Sequence, residues 1–326
     1  MSTTKIFVPA GLLIDENYIG HVGQQSVEQN LEELTIEPAG DFAPNFTGHK
    51  SWAPEFSLES MDLTKVLDLC DSAGICGDLS AATVQLLERA VQRANLVFDA
   101  DDEEHLVYQL EANSMIVWES ISISQRDELK ISFKIIPFDN GSNAILVPVP
   151  GEAIPAAATV NAPFTLGPLE ITLVGGSPVI LTGLKSLTWN LNPEIVKEDA
   201  DGDASPGFVY VRYARPVIEF ETTDAELFHD TFADDGNNLT KVTTWFRRRR
   251  PGKINYANNE AQHAKLESSG TSIGTLVWNS ASGDPHTVKG RIAIHRSGTG
   301  DLFTYTKDAA IVTGATTTTT TTSGGT

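Results

Sequence analysis

The chain is poor in sulfur and in positive charge. It holds two cysteines and three methionines among 326 residues, and its 23 Lys and Arg are outnumbered by 43 Asp and Glu. Each scarcity excludes something. Cys70 and Cys76 are six apart, without the Cys-x-x-Cys spacing and further ligands of a structural zinc site, and two thiols make no disulfide framework. They read as a core thiol and a loop thiol in a reducing compartment. No run of 18 apolar residues occurs, so no membrane-spanning helix is expected. The stretch from Met1 to Gly20 has one Lys and is interrupted by Asp15 and Glu16. It does not read as a signal peptide, and folding in a cytoplasm is expected.

The deficit of positive charge is uneven. Residues 1–150 hold 24 Asp and Glu against 8 Lys and Arg, a net of −16, and residues 151–326 make up the remaining −4. Such a chain has few cations with which to displace the counterions condensed on nucleic acid, so stable DNA wrapping is not expected. An acidic wall past which DNA slides and a plainly solvated acidic surface both fit this charge.

Signals for catalysis are missing too. The histidines at 21, 49, 105, 229, 263, 286 and 295 show no metal-ligand spacing. There is no glycine-rich phosphate cradle, nucleophile elbow or zinc-hydrolase helix. Carboxylates are so frequent that any acid–base pair picked from the sequence is arbitrary. The chain is therefore expected to be no enzyme and to need no cofactor. Asp199, Asp201 and Asp203 fall at positions 1, 3 and 5 of a calcium loop, but Ala204 and Tyr210 replace its glycine and its bidentate glutamate. These three aspartates are a weak metal candidate beside the alternative of a solvated turn.

What is present is the same design twice. PEFSLESMDLTKVL from Pro54 and PVIEFETTDAELFH from Pro216 align without a gap at an offset of 162. Pro54/Pro216, Glu59/Glu221 and Asp62/Asp224 are identical, and Ser60/Thr222 match in type. Upstream, the block Gly23 to Val27 aligns with Gly183 to Leu187 at 160; downstream, Lys130 to Ile135 aligns with Lys289 to Ile294 at 159. Three blocks in one order indicate diverged copies with small loop insertions. The Pro- and Ala-rich stretch between Pro148 and Pro168 reads as an extended join.

The coarse pattern in each copy is short strands punctuated by turn clusters. Period-two alternation places Phe56 and Leu58 on one strand face. Asp62 is expected to cap a short helix whose apolar stripe is Leu63, Val66, Leu67 and Cys70, with Gly74 as its stop. The second copy repeats this with Asp224, then Ala225, Phe228 and Phe232, then Gly236. Residues 81–95 are ambiguous between helix and strand. The acidic run 99–104 reads as a loop, and the Thr-rich residues 315–326 as a mobile tail. Arg247, Arg248, Arg249 and Arg250, after Trp245 and Phe246, are the chain's basic cluster. Contact with nucleic acid and pairing with a neighbour's acidic surface both remain open for it.

From Trp52 to Val149 the chain resembles the tail tube (major tail) proteins of long-tailed bacteriophages. The resemblance is carried by PEFSLESMDLTKVLDLC, LLERAVQRAN and HLVYQLEANSMIVWESISISQRDELKISFKIIPFDNGSNAILV, with Pro137-Phe-Asp-Asn-Gly141 as the exit turn. FTLGPLEITL, LTGLKSLTW and FVYVRYARPVIEFETTD look like the same unit beginning again.

The resemblance implies a mainly β fold: a β-sandwich or partly closed barrel with one short flanking helix, in two tandem copies. The boundaries would be 1–150, a linker 151–167, a second sandwich 168–314 and the tail 315–326. It further implies a virion structural protein made in a bacterial cytoplasm and assembled with itself and other tail proteins. Six such domains would ring a channel through which DNA passes without specific binding, so three doubled chains would complete one ring. The polar loops Glu37–Lys50 and Lys197–Gly207 lie at matching places and are expected to make inter-ring contacts. Their candidate residues are Asp41, Phe42, Asn45, Phe46, His49, Asp199, Asp201 and Asp203. Another virion component, such as a capsid decoration or tail-tip protein, and a β-sandwich adhesin or carbohydrate binder with a Thr-rich stalk are the other readings.

Overall fold

In a computed structural model of the chain, the described residues are 5–15, 17–20, 22–28, 30–36, 46–71, 74–92, 105–138, 145–154, 162–173, 175–181, 183–199, 205–224, 238–249, 257–268, 270, 272–279, 287–296 and 298–311. The acidic run 99–104, linker residues 155–161, the helix expected after Asp224 and the Thr-rich tail lie outside them.

The first copy comprises β1 (Lys5–Ile14), β2 (Asn17–Ile19), β3 (Val22–Glu28), β4 (Leu31–Ile36), β5 (Phe46–Trp52), β6 (Glu55–Ser60), α1 (Leu63–Asp68), β7 (Cys76–Asp78), β8 (Val84–Gln92), β9 (His105–Leu110), β10 (Asn113–Ser124), β11 (Lys130–Phe138) and β12 (Leu146–Glu152). The second comprises β13 (Phe164–Leu173), β14 (Pro178–Leu181), β15 (Leu184–Asn190), β16 (Pro193–Asp199), β17 (Pro206–Ala214), β18 (Val217–Thr222), β19 (Asn238–Arg248), β20 (His263–Ser268), β21 (Ser272–Asn279), β22 (Thr287–Ile294) and β23 (Phe303–Ala309). The fold is mainly β, with antiparallel sheets, one short helix and no closed barrel among the described residues.

Apart from β7, which pairs with β10, the two copies repeat the same strand orders. In the first, β2-β1-β8-β9-β12 form one sheet and the run β3-β6-β11-β10 another. In the second, β14-β13-β19-β20-β23 and β15-β18-β22-β21 follow the same two orders. Each copy also sends out a separate two-stranded hairpin between matching strands: β4–β5 after β3, and β16–β17 after β15. Period-two burial explains why these sequences become strands. In β6, Phe56, Leu58 and Ser60 are buried while their neighbours are half-buried; in β18 Ile218, Phe220 and Thr222 are buried likewise, with Glu219 exposed and Glu221 half-buried between them. Trp118, Phe133, Trp189 and Phe246 are fully buried anchors of the cores.

The chain forms two compact units that are not its two continuous halves. One takes in residues 1–123, 128–163 and 188–217; the other takes in 124–127, 164–187 and 218–326. The hairpin β16–β17, expected within the second sandwich at 168–314, thus belongs to the compact unit of the first copy. The β10–β11 turn belongs to that of the second.

Local expectations fare unevenly. Residues 84–92 are strand, because Val84, Leu86, Leu87 and Val91 serve a sheet better than a helix stripe. Asp62 does not cap α1 with its carboxylate. Its Oδ2 accepts the Gly20 amide at 3.1 Å instead, and the Asp62 amide donates to Ser60 Oγ at 3.0 Å. The helix ends at Asp68, so Gly74 is not its stop. With φ 69°, Gly74 closes a turn on Asp71, and its carbonyl accepts the Trp118 indole at 2.6 Å. Cys76 lies in β7 and not in a loop. Burial pushes the Cys70 thiol up to about 12, with Cys76 and Asp71 adding to the shift, so it is a poor nucleophile at neutral pH.

Matching contacts fix the repeat more firmly than residue identity does. Lys130 reaches Glu59 at 2.8 Å, and Lys289 reaches Glu221 at 3.7 Å. The Asp224 amide donates to Thr222 Oγ1 at 3.1 Å, as Asp62 does to Ser60. Asn30 and Asn192 both adopt left-handed backbone, φ 44° and 46°, and donate from Nδ2 to the carbonyls of Ala53 and Arg215 at 3.1 and 3.2 Å. Both asparagine and acceptor are 162 apart, which aligns β3 with β15 at 162 and corrects the sequence block offset of 160.

Buried histidines make the strongest match. His105 Nδ1 accepts the Ala90 amide at 3.0 Å, and His263 Nδ1 accepts the Arg248 amide at 3.1 Å, every partner being displaced by 158 residues. The rings are 1% and 0% exposed. Pairing of β8 with β9 stops at Glu88↔Leu106, and that of β19 with β20 at Phe246↔Ala264, so each ring takes the next donor after its ladder stops. An accepting Nδ1 places the ring proton on Nε2, and His263 Nε2 faces the Ala257 carbonyl at 2.9 Å. Either His→Ala leaves a buried amide without its acceptor and is expected to cost about 1–3 kcal/mol. Thermal or urea unfolding of His105→Ala and His263→Ala checks this, with losses of similar size expected from both.

Candidate assembly interfaces

The hairpin β16–β17 has two unlike faces because its register pairs Ile195 with Val211 and Lys197 with Val209, while Glu198 pairs with Phe208. Ile195, Lys197, Val209 and Val211 are half-buried. On the other face Phe208 is 63% and Tyr210 40% exposed. That outer face carries its own cross-strand pairs, Arg212 to Glu194 and Tyr210 to Glu198, both at 2.8 Å.

The inner face lies in one compact unit with β6 and β11, and Lys197 is its polar anchor. Its Nζ donates to Glu55 Oε1 at 2.6 Å. Lys134 approaches the other oxygen of the same carboxylate at 3.6 Å and bonds Glu119 at 3.0 Å. The result is an alternating chain of four charges, Lys197, Glu55, Lys134 and Glu119, with side-chain exposures between 20% and 36%. Partial burial makes this cluster worth more than a surface pair. Burial pushes the Glu55 carboxyl up, but Lys197 and then Lys134 outweigh it, and the net shift is downward. Burial pushes Lys134 down, but Glu119 and Glu55 outweigh it, and the net shift is upward.

The second exchange is the β10–β11 turn. Gln125 N–H donates to the Lys185 carbonyl at 2.6 Å, Thr165 Oγ1 donates to the Asp127 carbonyl at 3.2 Å, and Arg249 Nη2 donates to the Arg126 carbonyl at 2.7 Å. Arg126 has φ 75°, a backbone state that a non-glycine residue keeps only where its surroundings hold it. Beside this turn is a cavity of about 470 Å³, lined in part by Gln125, Arg126, Thr165, Gly167 and Arg247. Its charged lining is the two arginines.

The basic cluster is thus largely engaged inside the chain. Arg247 lines the cavity, Arg248 stacks over the Phe164 ring at 4.8 Å, and Arg249 holds the turn. Arg250 lies outside the described residues, as do Asp41, Phe42, Asn45, Asp201 and Asp203. Phe46 and His49 fall in β5 and Asp199 ends β16, described there only as backbone. The expected polar loops are shorter than the sequence suggests, since strand pairing extends to Phe46 on one side and from Asp199 to Pro206 on the other. No cluster of metal-ligating side chains occurs among the described residues, and no helix is long and apolar enough to cross a membrane.

Sequence reading missed Lys197, Glu55 and the asparagine pivots. Asn30 and Asn192 stand at the offset of the Pro54 match and were within reach of a longer gapless comparison. The pairing of Lys197 with Glu55 was not, because 142 residues separate them. Comparison of the chain with protein-family models and with curated proteins gives no match.

The charge cluster sets a pH window for the hairpin. Glu55's depressed pKa gives a contribution present above the ordinary carboxylate range and lost as pH falls through the depressed value. Lys134's raised pKa gives one present below the ordinary lysine range and lost as pH rises through the raised value. Hydrogen exchange of residues 206–214 is expected to be slowest between those limits. Glu55→Gln should raise it near neutral pH by roughly tenfold, the loss of a charge-assisted hydrogen bond of about 1.5 kcal/mol.

Proposed function

We propose that the chain is a structural subunit of a virion, a tail tube protein whose stacked rings enclose a channel that conducts DNA. The observation that carries this reading is the doubled sandwich in which one copy's hairpin is seated in the compact unit of the other through Lys197 and Glu55. A domain that hands a hairpin to its neighbour makes a head-to-tail joint, and such joints close into a ring when their rotation closes. Doubling the domain makes every second joint covalent, so a ring of six domains contains three chains.

The remaining features agree with this use. Sheet edges and hairpins are suited to pairing with further protein. The net charge of −20 favours passage of DNA over retention. The sequence linking the two strands of each hairpin, 37–45 and 200–205, would reach the next ring. Residues 46–50 belong to β5, so a stacking deletion must spare them.

Negative-stain electron microscopy and native mass spectrometry of the purified chain test the reading. Rings of three chains with a central pore, alone or stacked as tubes, are expected. Monomers persisting at high concentration would count against it and favour a decoration or binding role. Replacing residues 38–44 by a short Gly-Ser link is expected to leave single rings that no longer stack. Normal tubes from that variant would remove the stacking role of the loop.

A further inference from the structure

The second copy's hairpin is covered on one face, whereas the first copy's equivalent is exposed. The two hairpins match in detail. Each begins one residue after a left-handed asparagine, and each has an irregularity in register at the same place, between Glu32 and Glu33 and between Glu194 and Ile195. At the shared offset of 162, half-buried Ile195, Lys197 and Val209 correspond to Glu33, Thr35 and Thr47, all exposed. Leu31 is 42% exposed and Glu32 is exposed as well. A hairpin built to the same plan thus presents to solvent the face that its twin buries.

The surface that would receive it is equally identifiable. β16–β17 sits with the outward face of β6 and β11; the equivalent strands of the second copy are β18 and β22. Their outward residues include Glu219, Lys289 and Arg291, all exposed, and half-buried Glu221. Where β11 has Ser132, β22 has Arg291, at the repeat offset of 159.

We infer that hairpin β4–β5 docks on the outward face of β18 and β22 in a second copy of this chain, with Glu33 facing Lys289 and Arg291. The inference rests on the ring reading above and identifies the joint between its chains. Its charges are placed differently from those of the joint inside the chain, where the hairpin supplies Lys197 and the sheet supplies Glu55; the equivalent positions are Thr35 and Val217. This difference sorts the two joints. A first-copy hairpin on a first-copy sheet would meet Ser132 in place of Arg291, and a second-copy hairpin on a second-copy sheet would bring Lys197 to Val217 in place of Glu55. Each mistake forfeits a charge pair, so first and second copies alternate around the ring.

Charge reversal on the full-length chain tests this. Glu33→Lys, and separately Lys289→Glu with Arg291→Glu, are each expected to weaken association about tenfold or more by sedimentation velocity. Circular dichroism and unfolding should show each variant folded like the wild type. The chain carrying all three changes should recover association to within about threefold of the wild type, because opposite charges face each other again. Wild-type rings together with undiminished association of either reversed variant would overturn the joint while leaving the ring reading intact. So would failure of the triple variant to recover. A wild type that never associates would overturn both.

Discussion

A β-sheet ends in strands whose amides and carbonyls need partners, and a sandwich cut from its neighbours has such edges on every side. The architecture of this chain follows from how it meets that constraint. Where a ladder stops, a histidine ring takes the next donor: His105 for Ala90 and His263 for Arg248. Where a sheet face would stand open, a hairpin from the other copy is laid with it, anchored by Lys197 on Glu55. Where the β10–β11 turn protrudes, backbone groups from Lys185 and side chains from Thr165 and Arg249 take it in. Local hydrogen-bond completion and exchange between copies are one solution at two scales.

Much of the fold was legible in the sequence because strands bury alternate residues and the repeat doubles the signal. Phe56 and Leu58 announced a strand face, and Pro54 with Pro216 announced a duplication. What escaped was whatever depended on long-range pairing. The segment at 84–92 carries good helix formers, and its assignment to a strand comes from the neighbours β1 and β9 on either side. Asp62 looked like a helix cap because Asp usually is one there; Gly20, 42 residues away, offers its carboxylate another donor. The histidines seemed scattered when judged by metal spacing, yet at the repeat spacing two of them are equivalent.

The correspondence of the two polar segments was legible in the sequence. The loops Glu37–Lys50 and Lys197–Gly207 do correspond, and both belong to hairpins. The ion pair that composition did not suggest lies in a strand body, where Lys197 of β16 meets Glu55. Similarly, the arginines at 247 to 249 suggested a surface for partners, but stacking on Phe164 and bonding to Arg126 occupy two of them within the fold. A basic run at a strand end has the strand's neighbours as its nearest partners.

The asparagine pivots give the hairpins an unequal mechanics. Each hairpin leaves its sandwich through one left-handed residue, Asn30 or Asn192, whose side chain ties down the carbonyl where the chain returns. A seven-residue strand such as β16 is about 23 Å long at roughly 3.3 Å per residue. Turning it by ten degrees about its root swings the far end by about 4 Å, a distance close to the spacing between neighbouring strands. The root is therefore a lever's fulcrum: a small change there re-aims a distant tip by one strand's width, with the sandwich itself left undisturbed.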